Sequence, residues 1–405
     1  MKNAPQRQET KIKDKSKVKD KSKKIKKGEA FLFYLLSFIF YLWSCSGALY
    51  FAELSTEEAQ VLWEQYGGNR GRTGTNPKGI DPPLVLLGRM KAGSAIMGAP
   101  LVRGRAVYAV GVDGKVRAWD RKTGESLGRW RSKGTVLGTP MFWDGLLVLP
   151  KCGQGGELVA LDRTLGKVRW RFNEGSVSCP LGSGDRLFVT TELGAVVSLD
   201  AADGTILWRF ERDEALHSAV AMGDTVLYAG SNDGVVALSE TRGDLLWKQK
   251  TAGSIWATPA VAEDGIYVGS TGGVVYRLDR ESGEVVWTFE VDGGIYGGCA
   301  LDSARVYFGT TDRTLYALDR STGRQVWRFE TQGVIRAAPV TTGRTVYVGS
   351  TDRFFYAVAA DSGTLLWKHE TKGALVSAAA LVEDGIYIGS TDGFLYAFGR
   401  NLGDW

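Results

Sequence analysis

A unit of about forty residues recurs eight times along this 405-residue chain, and a fixed period of that size signals a repeat architecture. The frame is clearest late in the sequence. Ile266-Tyr267-Val268-Gly269-Ser270 is followed by Tyr276-Arg277-Leu278-Asp279, then by Ser282-Gly283 and Trp287. It returns at Tyr307, Tyr316-Ala317-Leu318-Asp319, Thr322-Gly323 and Trp327, and again at Tyr347, Tyr356, Ser362-Gly363 and Trp367. Each unit carries four short β signals. The first is a small-residue run ending near a proline, as in Trp256-Ala257-Thr258-Pro259, and the fourth carries the tryptophan. Asp-Gly, Gly-Gly or Ser/Thr-Gly pairs separate them, which is hairpin chemistry. Four antiparallel strands in about forty residues make one propeller blade. No segment of the repeats has sustained helical periodicity.

Sets of first to third strands begin near Ser94, Thr135, Gly175, Glu214, Ser254, Gly294, Val334 and Ala374, so the fold class is an all-β, eight-bladed β-propeller. A fourth strand follows the first seven sets only. Leu84-Val85-Leu86-Leu87-Gly88-Arg89-Met90 precedes the first set in the register that Leu245-Leu246-Trp247 holds before the fifth. This N-terminal strand is expected to complete the last blade and to remove two open sheet edges.

Four segments follow: a basic tail over 1–30, an apolar run over 31–52, a leader over 53–83 and the propeller over 84–405. Residues 1–30 hold twelve Lys or Arg and four acids, leaving thirty-eight basic and forty-one acidic residues beyond them. The formal charge of +5 thus belongs to the tail, and the propeller body is not basic enough for a nucleic-acid face. The tail has no core-forming content and is expected to be disordered. The apolar run has twenty-two residues without a charge, enough to span a bilayer. The preceding lysines place the tail in the cytoplasm and the propeller outside it, on the periplasmic or extracellular face. The run reads as an uncleaved anchor, as a lipoprotein signal with Cys45 as the acylated residue of Leu42-Trp43-Ser44-Cys45, or as an ordinarily cleaved signal. The first two leave the propeller tethered to a membrane.

Cys152, Cys179 and Cys299 form no C-x-x-C pair, so neither a zinc site nor an attached haem is expected. Cys179 and Cys299 fall in first strands too far apart around the ring to pair, and read as small buried residues.

Trp170, Trp208, Trp247, Trp287, Trp327 and Trp367 each stand four residues after a glycine. The glycine allows a turn with positive φ, and the ring is expected to dock on the neighbouring blade, burying roughly 150–250 Å². Gly128 and Gly88 take the tryptophan position in the first and last blades. The phrase Ala317-Leu318-Asp319-Arg320-Ser321-Thr322-Gly323-Arg324-Gln325-Val326-Trp327 resembles the tryptophan-docking repeat of quinoprotein (PQQ-type) propellers. The resemblance runs from about Trp63 to the C-terminus. Trp63-Glu64-Gln65-Tyr66-Gly67-Gly68-Asn69 looks like the leader that often precedes such propellers. With eight blades and a membrane-directed N-terminus, the chain is similar to the BamB group, envelope lipoproteins that act as scaffolds in outer-membrane β-barrel assembly.

Quinoprotein dehydrogenases share this repeat. The resemblance implies that such an enzyme would need acidic and amide calcium ligands, a catalytic Asp and commonly a vicinal disulfide; no adjacent cysteines occur here. Asp113, Asp233, Asp352 and Asp392 sit where hairpin turns favour Asp. No Ser/His/Asp or paired-carboxylate constellation can be placed. No catalytic, cofactor or metal residues are assigned. A noncatalytic, monomeric scaffold for protein or peptide partners is the first reading. A PQQ-dependent dehydrogenase or quinone-binding sensor is the alternative.

Positions that break the repeat are the candidates for binding. Three residues before the proline slot the series reads Met97, Leu137, Val177, His217, Trp256, Tyr296, Arg336, Val376. First strands are innermost in a propeller, so this slot rings one mouth of the channel. Four consecutive blades place His, Trp, Tyr and Arg there, and the last three are interface hot-spot types. In nearby hairpins Arg313 and Arg353 replace the usual glycine, and Phe354 follows Arg353. Neutral variation at a tolerant channel position is the competing account.

Overall fold

Each repeat folds as one antiparallel sheet whose inner strands are apolar on both faces. In the fifth blade Gly265–Gly269 and Val274–Leu278 are buried almost throughout, while Val285–Glu290 is exposed on alternate residues. Blades therefore pack face to face through their middle strands, and the fourth strand meets solvent. The computed structural model describes residues 61–132, 134–152, 156–162, 166–174, 178–191, 193–212 and 215–400. The basic tail, the apolar run and Cys45 lie outside the described residues.

Eight sheets make the propeller, six of them from four strands consecutive in the chain. The last combines Ala380–Val382, Gly385–Gly389 and Phe394–Gly399 with Val85–Lys91. Val85 stands opposite Gly399 and Lys91 opposite Phe394, so the N-terminal strand closes the eighth blade as its pattern requires. Gly88 faces Ala397 just as Trp367 faces Ala357, which places Gly88 at the tryptophan position. The amide of Ile96 donates to Ser390 O at 3.1 Å, and Arg121 pairs with Asp384 at 2.6 Å, joining the first blade to the last.

The docking tryptophans have a uniform geometry. Trp170, Trp208, Trp247, Trp287 and Trp327 each donate Nε1–H to a backbone carbonyl of the next blade: Ala201, Glu240, Arg280, Arg320 and Ala360, at 2.8–3.0 Å. Each ring lies where the next blade's turn glycine lacks a Cβ; at Gly363 that Cβ would sit 2.8 Å from Trp327. The turn glycine thus has two roles, a φ of +73° and a flat seat for the preceding blade. Trp367 instead packs edge-on against Phe398, with centroids 5.1 Å apart. Beside Gly88 no tryptophan arrives: a Cβ at the first blade's turn residue Gly124 would meet nothing within 4 Å.

Two features depart from expectation. First strands are shorter than the pattern suggests, Ala260–Ala262 or Val340–Thr341, and begin after the proline. The residues before it bond instead to the preceding blade: Ile255 N donates to Ser231 O at 2.9 Å, and Ile295 N to Ser270 O at 3.0 Å. These connectors belong to the joints between blades.

The second departure is the leader, which is built into the ring from Val61 onward. Val61–Trp63 pairs with Leu101–Arg103 as a fifth, innermost strand of the first blade. The chain then visits the remaining blades in order. Glu64 O accepts from Phe142 N, Arg70 Nη1 donates to Ser183 Oγ, and Arg70 O accepts from Met222 N. Gly71 O accepts from Val261 N, Thr73 O from Leu301 N and Gly74 O from Thr341 N. Asn76 Nδ2 donates to Leu381 O at 2.9 Å. One short segment therefore ties the inner strands of all eight blades.

Candidate functional site

The two mouths of the channel differ. The lower mouth carries the turns between first and second strands, together with the leader. At its centre Arg72, with a φ of +57°, is 2% exposed. Its guanidinium donates to the carbonyls of Tyr66 (2.8 Å), Pro180 (2.8 Å), Cys179 (3.3 Å) and Val220 (3.3 Å). A buried charge survives when its donors are all met by acceptors. Burial draws the Arg72 pKa below its usual value and drives that of Tyr66 up. Burial likewise pushes the Cys299 thiol up to about 12, an unreactive state. Among the described residues Cys179 and Cys299 are not joined in a disulfide. The leader fills this mouth.

The upper mouth carries the interblade connectors and the hairpins between second and third strands. The slot residue is aimed outward by its neighbours. Ile255, Ile295 and Ile335 are buried immediately before it, and small residues follow because first strands converge on the axis. A Cβ at Gly297 would sit 2.8 Å from Arg336 O. Between these fixed points Trp256 is 51% exposed and Tyr296 42% exposed, with Arg336 also exposed. Leu137 is exposed as well, Met97 and Val376 are half-buried, and Val177 lies outside the described residues.

The structure brings four of the singled-out residues together in pairs. His217 and Trp256 stack, with centroids 4.7 Å apart and planes 12° from parallel. His217 Nε2 bonds Asn232 Oδ1 at 2.8 Å, fixing the ring. Arg336 lies over the Tyr296 ring with Cζ 5.7 Å from its centroid. Arg313 and Arg353 occupy exposed hairpin tips on the same face, and Arg353 pairs with Glu370 at 2.9 Å. Phe354 does not join them. It is half-buried against the core, with the Lys368 ammonium 4.9 Å from its centroid.

A cleft of about 590 Å³ opens beside Arg313, lined by Asp292, Asp312, Tyr316, Arg328 and Glu330. The pattern of the sequence does not disclose the partners of the slot residues. Asn232 and Ser254 are ordinary hairpin and connector residues until the fold places them beside His217.

Among the described residues no three His, Cys, Asp or Glu side chains converge as a metal site. The hairpin aspartates serve their own turns: Asp352 Oδ1 accepts from Phe354 N at 2.9 Å and Asp392 Oδ1 from Phe394 N at 3.0 Å.

Against this geometry the comparisons are specific. A family model described as outer membrane protein assembly factor BamB matches residues 129–222, 214–295 and 271–404. The chain belongs to this family. It is 32% identical over 126 residues to the outer membrane protein assembly factor BamB of Marinobacter adhaerens (strain DSM 23420 / HP15). That alignment takes in 29% of this chain and 30% of the relative, so the chain spans under a third of that relative's length. Among solved structures, BamB from Moraxella catarrhalis superposes with a TM-score of 0.68 at 22% identity, over 78% of this chain and all of that one. Quinohemoprotein alcohol dehydrogenase from Comamonas testosteroni gives 0.71 at 14% identity, over 87% of this chain and 83% of the enzyme. At such identities both are likenesses of fold, and the fold is shared by an assembly factor and an enzyme.

Proposed function

We propose that this chain is a membrane-tethered, extracytoplasmic scaffold whose upper mouth binds a protein partner in outer-membrane β-barrel protein assembly. One observation carries the reading. The leader fills the lower mouth, while at the upper mouth adjacent blades abandon the repeat for half-buried His217 and exposed Trp256, Tyr296 and Arg336. Trp256 and Tyr296 supply area that a partner desolvates, and the arginines pair with its carboxylates or carbonyls.

Trp256→Ala and Arg336→Ala are each expected to weaken capture of the envelope partner by at least about 2 kcal/mol, roughly thirty-fold. Their melting temperatures should stay near that of the parent, because neither side chain is a docking residue. Normal binding by both variants refutes the assignment. The tether has its own test. Wild-type protein should fractionate with membranes, and Cys45→Ser should abolish lipid labelling if Cys45 is acylated. Recovery of the wild type only from cytosol excludes an anchored form.

A further inference from the structure

Arg313 and Arg353 hold left-handed backbone, with φ of +71° and +78°. The same hairpin position is Gly114, Gly194, Gly273 and Gly393 in four other blades, with φ between +73° and +82°. The conformation is fixed within the blade, where the chain leaving the fourth strand bonds back to the hairpin. Thr331 N and Oγ1 both donate to Arg313 O at 2.9 Å; Thr371 N and Oγ1 donate to Arg353 O at 2.8 and 2.7 Å. Gly273 O receives the same bond from Val291 N, and Gly114 O from Ser132 N. A Cβ at Gly114 or Gly273 would collide with the carbonyl of Gly134 or Val291. This position is therefore not tolerant, and an L side chain with a left-handed backbone is strained there. Two adjacent blades carry that strain with the same residue type.

The two hairpins flank a third arginine. The connector bearing Arg336 is bonded to both: Ile335 N donates to Thr310 O at 3.1 Å, and Thr351 N donates to Val334 O at 3.0 Å. Arg336 rests on Tyr296. Arg353 already engages one carboxylate, that of Glu370, in a pair about half exposed on both sides. Asp312, Glu330 and Asp352 stand close by on the same hairpins and strand, so the patch is a mixed field in which arginine forks meet single carboxylates.

We propose that Arg313, Arg336 and Arg353 form a triad that reads an acidic segment, rich in Asp or Glu, on the protein partner. The proposal rests on the upper mouth being the binding face. Glycine suits the hairpin better than arginine, which gives the test opposite signs. In the full chain, the double variant Arg313→Gly, Arg353→Gly should melt at a higher temperature than the parent. It should also bind a fluorescent peptide of alternating Asp and Tyr about tenfold more weakly. Wild-type binding of that peptide should weaken as salt rises. Equal peptide affinity in parent and double variant overturns the triad, as does a lower melting temperature. Binding to phosphatidylglycerol vesicles with none to the peptide also overturns it, in favour of a lipid surface. If Trp256→Ala loses the envelope partner while the double variant keeps it, the binding face stands and the triad falls. If neither loses it, both fall.

Discussion

Arg72 is the residue on which the lower mouth depends. Its guanidinium meets four carbonyls drawn from the leader and from the third and fourth blades. Arg72→Ala strands those carbonyls in a buried site and opens a void beside Tyr66. Loss of charge-assisted bonds of this kind costs about 3 kcal/mol or more in total, read as a drop in the denaturant midpoint. An unchanged midpoint would mean that the leader is not held by this contact. Nothing local in the sequence marks Arg72. It stands in Asn69-Arg70-Gly71-Arg72, beside a second arginine whose side chain donates to Ser183, and burial separates the two. Trp256, Tyr296 and Arg336, by contrast, are legible as breaks in a regular series. The left-handed strain at Arg313 and Arg353 is half legible: glycine is visibly replaced, but the φ that gives the replacement meaning comes from the fold.

At the level of strands and turns, one tryptophan and one glycine per joint do most of the packing. Trp327→Ala should cost about 3–5 kcal/mol, from the cavity and the lost bond to Ala360 O. Gly363→Ala, in the following blade, attacks the same contact from the other side and should also lower the melting temperature. A Trp327→Ala variant as stable as the parent would contradict this docking geometry. The tryptophan and its own-blade glycine are plain in the sequence. That the ring sits on the next blade's glycine is not, because the partner lies about one whole repeat away. The closing strand Val85–Lys91 is legible because its register copies that of the other fourth strands. The innermost strand Val61–Trp63 is not, since three residues without alternation carry no β signal of their own.

For the molecule as a whole, repetition fixes the architecture and its interruptions mark a face. The leader visits every blade at the lower mouth, so the body is tied at its centre and closed at its rim by Val85–Lys91. What remains to distinguish this chain from other propellers of its fold is the upper mouth. A photo-crosslinking amino acid placed at Gln332, on the exposed connector between the Arg313 and Arg353 hairpins, should trap a protein partner in intact cells. The same probe at Ser282, on an exposed turn of the opposite face, should trap none. Adducts at Gln332 that disappear with Trp256→Ala are the predicted result; adducts at Ser282 with none at Gln332 would contradict the upper mouth as the working face.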